Sequence, residues 1–134
     1  MHTTNYTNTF IEVAADCTAQ LGMIPPEKQQ KTIARMQFEL ISAAPYHYTS
    51  DDLLFLIYAL RNQIADTEHD EQRALFFSKG QPCLRSSPLA KSYGWGIHFD
   101  EHARIAIYPF ESEAYQRLRH DQSLKQLKAM KSAR

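Results

Sequence analysis

"WGIHFDEHARIAIY", residues 95–108, decides the fold. Trp95, Ile97 and Phe99 alternate with Gly96 and His98. Beyond "DEH", Ala103, Ile105 and Ile107 alternate with Arg104, Ala106 and Tyr108. A period of two in β-branched and aromatic residues marks two strands, and the polar break between them marks a hairpin. A three-residue connection pairs Phe99 with Ala103, His98 with Arg104 and Gly96 with Ala106. Trp95, Ile97, Phe99, Ala103, Ile105 and Ile107 then form a core face. Gly96, His98, Arg104, Ala106 and Tyr108 form the opposite face.

Outward from the hairpin, "NTFIEVA" (8–14) reads as a strand with apolar groups on both sides. That suits a strand covered on both faces. "EKQQKTIARMQFELISAA" (27–44) reads as a helix, with Ile33, Met36, Leu40 and Ala44 at helical spacing. Pro25 and Pro26 are placed to begin it and Pro45 to end it. "DDLLFLIYALRNQI" (51–64) is also read as a helix. Thr49 or Ser50 can cap it, Asp51 and Asp52 suit its first turn and Arg61 its last. "DTEHDE" is a polar loop, "SKGQP" a turn, and "QRALFF" (72–77) is too short to assign. Ser112 caps a final helix carrying Tyr115, Leu118, Leu124 and Leu127, with a basic end whose last few residues fray. The expected fold is one α+β domain over 1–134: a small antiparallel sheet with a hairpin in its C-terminal half and helices on one face, in two layers.

Composition narrows the function without naming it. Fifteen basic residues balance fifteen acidic ones in 134, so no global charge favours nucleic acid or an anionic membrane. Charge is uneven, however. Residues 115–134 carry Arg117, Arg119, Lys125, Lys128, Lys131 and Arg134 against Asp121, which suits the C-terminus of a helix. Trp95, Tyr93, Phe99 and Tyr108 near basic residues raise the question of base stacking. Trp95 and Phe99 are needed for the core, so nucleic acid is not expected. Two cysteines, Cys17 and Cys83, match no zinc or redox spacing. There is no signal peptide and no span-length apolar run. A cytoplasmic setting is expected.

The hairpin's second face is the candidate site. Gly96 and Ala106 leave a shallow gap between His98 and Tyr108, with Arg104 beside His98 and Arg85 and Lys91 on the loop leading in. These side chains could hold a small anion or a carboxylate through guanidinium, ammonium and hydroxyl groups. The competing reading is structural: Gly96 makes room for a crossing helix. An enzyme would need Cys83, whose thiol gains from Lys79 and Arg85, or His98, whose pKa a neighbouring cation would lower. A homodimer or a protein partner covering the second face is a third reading. His98, Asp100 and His102 offer metal-type donors, but His102 is expected to be solvated at the tip and no third strong ligand is identified nearby, so no metal or other cofactor is expected.

"NTFIEVA", "YTSDDLLF", "SKGQPCLRSSPLAKSYGWGIH" and "ESEAY", in this order, resemble a family of small uncharacterised bacterial proteins. The resemblance implies a bacterial, cytoplasmic protein and transfers no activity. In shape, the plan also resembles the YjbR and CyaY-like α+β domains, in which helices pack on one face of an antiparallel sheet.

Overall fold

A computed structural model describes residues 1–132. Ala133 and Arg134, and with them the end of the expected frayed tail, lie outside the described residues. Strand β1 (Thr9–Glu12) is followed by helices α1 (Ile33–Ala43), α2 (Ser50–Arg61), α3 (His69–Phe76) and the single turn α4 (Pro88–Lys91). The hairpin β2 (Trp95–Phe99) and β3 (Ile105–Pro109), helix α5 (Glu113–Arg119) and strand β4 (Lys125–Lys128) complete the order. The fold is α+β, as expected.

The hairpin forms, but its register is two residues from the expected one. Phe99 pairs with Ile105, His98 with Ala106 and Gly96 with Tyr108. The connection is therefore Asp100–Arg104 rather than "DEH". The Asp100 carboxylate sets its length: Oδ1 accepts from the amides of His102 at 2.8 Å and Arg104 at 2.9 Å. Ala103 turns the chain at φ 63°. A shift of two preserves the pleat, so Ile97, Phe99 and Ile105 still face the core. Only the cross-strand partners change.

The sheet is four-stranded and mixed, in the order β3-β2-β1-β4. Strand β4 runs parallel to β1, with Ile11 beside Leu127. This corrects the antiparallel sheet and the long final helix. Helix α5 starts under the Ser112 cap but stops at Arg119. Asp121 breaks it by accepting from the Ser123 amide at 2.9 Å and hydroxyl at 2.6 Å, a local turn that competes with helix. Leu127 then packs on the main core from a strand.

Helices cover both faces of the sheet, not one. Ile11, Ile97, Phe99 and Ile105 meet Ile41, Leu53, Ile57, Leu84 and Leu89 on the first face. On the second face Tyr115 of α5 lies edge-on to Phe10, with ring centroids 5.1 Å apart. Phe10 and Ile11, adjacent on β1, are both wholly buried. That is the two-sided burial read from "NTFIEVA".

Helix α1 begins six residues later than expected, under Thr32, whose Oγ1 accepts from the Arg35 amide at 3.2 Å. "EKQQK" offers no apolar stripe to bury, so Pro25 and Pro26 lie within a loop that runs on to Thr32. Helix α2 carries the expected caps as a reciprocal pair, Thr49 with Asp52. "QRALF" and the polar stretch before it supply α3, whose Phe76, with the C-cap residue Phe77, packs with Phe55 and Ala59.

Candidate functional site

The hairpin's second face is occupied by protein. A Cβ placed on Gly96 would lie 2.5 Å from Phe10 Cζ and 2.7 Å from Tyr115 Cε2. The gap expected there is the seat of two aromatic rings, as the structural reading had it. Next along β2, His98 joins a hydroxyl chain. Tyr46 Oη lies 2.7 Å from His98 Nδ1 and 2.7 Å from Tyr108 Oη. Tyr46 is held at φ 59° after α1, where its amide donates to Ile105 O at 2.8 Å. Burial, followed by the bond to Tyr108, drives the Tyr46 phenol well above its ordinary ionisation range. His98 has a lowered pKa, as expected, for a different reason. Burial lowers it, while Asp100 and Asp121 pull the other way.

The remaining site candidates go elsewhere. Arg85 donates from Nε to Lys128 O at 2.8 Å, at the C-terminal end of β4. Arg104 lies in the connection and bridges to Thr49, so Ala106, not Arg104, stands opposite His98. Lys91 ends α4. His98 and Tyr108 are thus brought together through Tyr46, a residue sequence reasoning did not single out. Arg85 belongs to the outer edge of β4.

Cys83 is half-buried, and its Sγ lies 3.4 Å from Tyr6 Oη. That hydrogen bond, then burial, raises the phenol's pKa, so Tyr6 stays protonated and offers no basic oxygen to take the thiol's proton. Asp100 is engaged by backbone amides, and His102 pairs with Glu101 at 3.3 Å. Among the described residues no group of three or more His, Cys, Asp or Glu side chains is placed to hold a metal ion.

A cavity of about 370 Å³ opens between α1, α2 and the chain from Phe76 to Pro88. Its wall is largely apolar: Ile33, Leu54, Ile57, Phe76, Leu84 and Pro88 all contribute. Of its polar residues, which include Arg61, Asn62, Gln81, Ser86 and Ser87, Gln37 is the most buried. It sits between Ile33 and Ile41 at four-residue spacing, on the stripe that buries α1, and only 3% of it is exposed. Its Oε1 accepts from Ser87 Oγ at 2.6 Å, and Ser87 Oγ in turn accepts from the Leu89 amide at 3.2 Å. Its Nε2 has no hydrogen-bond partner among the described residues, although no fully enclosed side-chain polar atom lacks one. The small surface left to Gln37 therefore includes this amide nitrogen, on a residue that lines the cavity. A polar residue inside an apolar stripe was the available signal, and sequence reasoning passed over it. A second cleft, of about 550 Å³ beside Tyr115, is lined by polar and apolar groups alike, and its Glu12 and Arg119 pair with each other at 3.2 Å.

A family model described as a family of unknown function, DUF6157, matches residues 1–134. The chain belongs to this family. DUF6157 membership agrees with the uncharacterised family read from the sequence motifs, and the function is unknown. No curated protein and no solved structure matches the chain. No helix among the described residues is long and apolar enough to cross a membrane.

Proposed function

We propose that this protein is a binding module for a small, mainly apolar ligand carrying a hydrogen-bond acceptor, seated in the cavity between α1 and α2. The carrying observation is the unpartnered Gln37 amide nitrogen. That nitrogen keeps a small exposed surface on a residue that lines the cavity, and a carbonyl or carboxylate oxygen arriving there would replace water as its acceptor, a bond worth about 0.5–1.5 kcal/mol net. The size and lining suit such a site, since ligand pockets are concave and apolar with a few placed polar groups. Ser87 holds the Gln37 oxygen, which leaves the nitrogen to face the ligand. Binding without chemistry fits the surroundings, because Cys83, the cavity's one thiol, has a tyrosine hydroxyl as its polar neighbour. A bacterial, cytoplasmic setting belongs to the same proposal.

The test is a fragment screen by two-dimensional ¹H–¹⁵N NMR. Apolar compounds bearing a carbonyl are expected to move the Gln37 side-chain amide signals and the backbone signals of Leu54, Ile57 and Ser87, saturably. Leu54→Trp, which fills the cavity from α2, is expected to abolish those shifts in a folded protein. Saturable shifts confined to Gly96, His98, Ala106 and Tyr108 would refute the cavity and restore the hairpin as the site.

A further inference from the structure

We infer that the ligand of this cavity is an apolar monocarboxylic acid whose carboxylate is held at the mouth by Arg61; this rests on the cavity being the binding site. Of the residues lining it, Arg61 alone carries a formal charge, and no aspartate or glutamate lines it. A lining of that kind admits a neutral or an anionic guest and disfavours a cation.

Arg61 has donors to spare. Its Nη1 donates to Lys31 O at 3.2 Å, and among the described residues no acid pairs with it. The neighbouring cations differ. Lys31 binds Glu39 at 2.7 Å, and Arg35 is shared between Glu39 at 2.9 Å and Glu27 at 3.1 Å. The contact with Lys31 also fixes where Arg61 stands, at the start of α1 and beside the cap residue Thr32. The first turn of α1 carries no acidic residue, so the positive end of that helix is not offset locally. Ile33, the first residue of α1, lines the same mouth.

Arg61 stands by Ile33 at the start of α1, and Gln37, bonded to Ser87, lies one turn further along that helix. The lining also holds Asn62, Gln81 and Ser86, while Leu54, Ile57 and Phe76 supply apolar surface. An apolar acid fits this order. Its carboxylate meets the planar guanidinium fork at the mouth, its body lies on the apolar wall, and an acceptor further along it meets Gln37 where the chain carries one.

The experiment titrates octanoate and its neutral isostere octanamide into the full-length protein, read by calorimetry and by the NMR signals of Leu54, Ile57 and Gln37. Octanoate is expected to bind roughly three- to fivefold more tightly than octanamide, as the upper range of a guanidinium–carboxylate contact near the surface provides. Arg61→Gln, an exposed change checked for folding by its spectrum, is expected to bring the two probes to within twofold. Arg61→Lys is expected to keep part of the preference. Equal binding of both probes to the wild type, or a preference that survives in Arg61→Gln, would overturn the charge assignment and leave the cavity reading standing. Failure of both probes to move the cavity signals would overturn both.

Discussion

Gly96→Ala is the sharpest test of how the second sheet face is built. The added methyl would stand 2.5 Å from Phe10 Cζ and 2.7 Å from Tyr115 Cε2, where carbon atoms normally keep about 3.5–4.0 Å. Each ring must recede by roughly 1 Å, and neither has room, since both are wholly buried. Tyr115 is further tied by its hydroxyl, which accepts from the Val13 amide at 3.0 Å. Overpacking of this kind costs about 1–3 kcal/mol. Disturbing the edge-on ring pair adds about 0.5–1.5 kcal/mol, and removing a glycine from a strand returns about 0.5–1 kcal/mol. The net expectation is a loss of about 0.5–4 kcal/mol. Urea unfolding followed by circular dichroism measures it, with an unchanged slope showing that the native surface is the same. Phe10→Leu removes the ring atoms nearest the new methyl. The double variant should therefore be less damaged than the sum of the two single changes, by at least about 0.5 kcal/mol. A Gly96→Ala protein within about 0.5 kcal/mol of wild type would refute the reasoning. So would strict additivity with Phe10→Leu. Either would mean that the face has the free space first read there from sequence.

Asp51 accepts from Thr3 Oγ1 at 2.6 Å and from Thr4 N and Oγ1 at 2.7 Å each, while only 8% exposed. Asp51→Asn presents a donor to these donors, and should cost about 2 kcal/mol and speed amide exchange at Thr4; unchanged protection there would contradict it. His98 is expected to titrate by NMR below the usual imidazole value of about 6.5. Because burial holds its folded-state pKa down, its contribution to stability is present above about pH 6.5 and is lost as pH falls through the folded value; His98→Gln should flatten that acid limb of urea midpoints, and an equally steep limb in the variant would dismiss the assignment.

The residues that spoke plainly in sequence were those whose role is local. Thr49 and Asp52 cap α2 wherever the rest of the chain goes. Alternation in "WGIHF" and "RIAIY" gave the hairpin faces, and an even shift in register left those faces intact. Partners were harder to read, because they depend on turn chemistry. The Asp100 carboxylate lengthened the connection, and that separated His98 from Arg104. The "SLKQLK" stretch carried helix-forming lysines and leucines, but the space beside β1 made four of its residues a strand. The candidate site fared worst. Its members were gathered by nearness along the chain, whereas Gln37, Arg61 and Ser87 meet only once α1, α2 and the segment before β2 are packed together. Gln37 nevertheless announced itself, as a polar residue in an otherwise apolar helical stripe.

The position of β1 governs when the protein can fold. Residues 9–12 leave the ribosome before their neighbours in the sheet, residues 95–99 and 125–128. At synthesis rates of about 5–20 residues per second, roughly 6–23 s separate the first strand from the last. Until β2 is made, Phe10 and Ile11 have no strand to pair with, and α1 and α2 emerge with no sheet to cover. Pairings so distant in sequence make for slow folding even after release. A nascent chain of this design depends on whatever shelters its first strand, and its folding yield should be set by translation speed and chaperone supply as much as by the stability of the finished sheet.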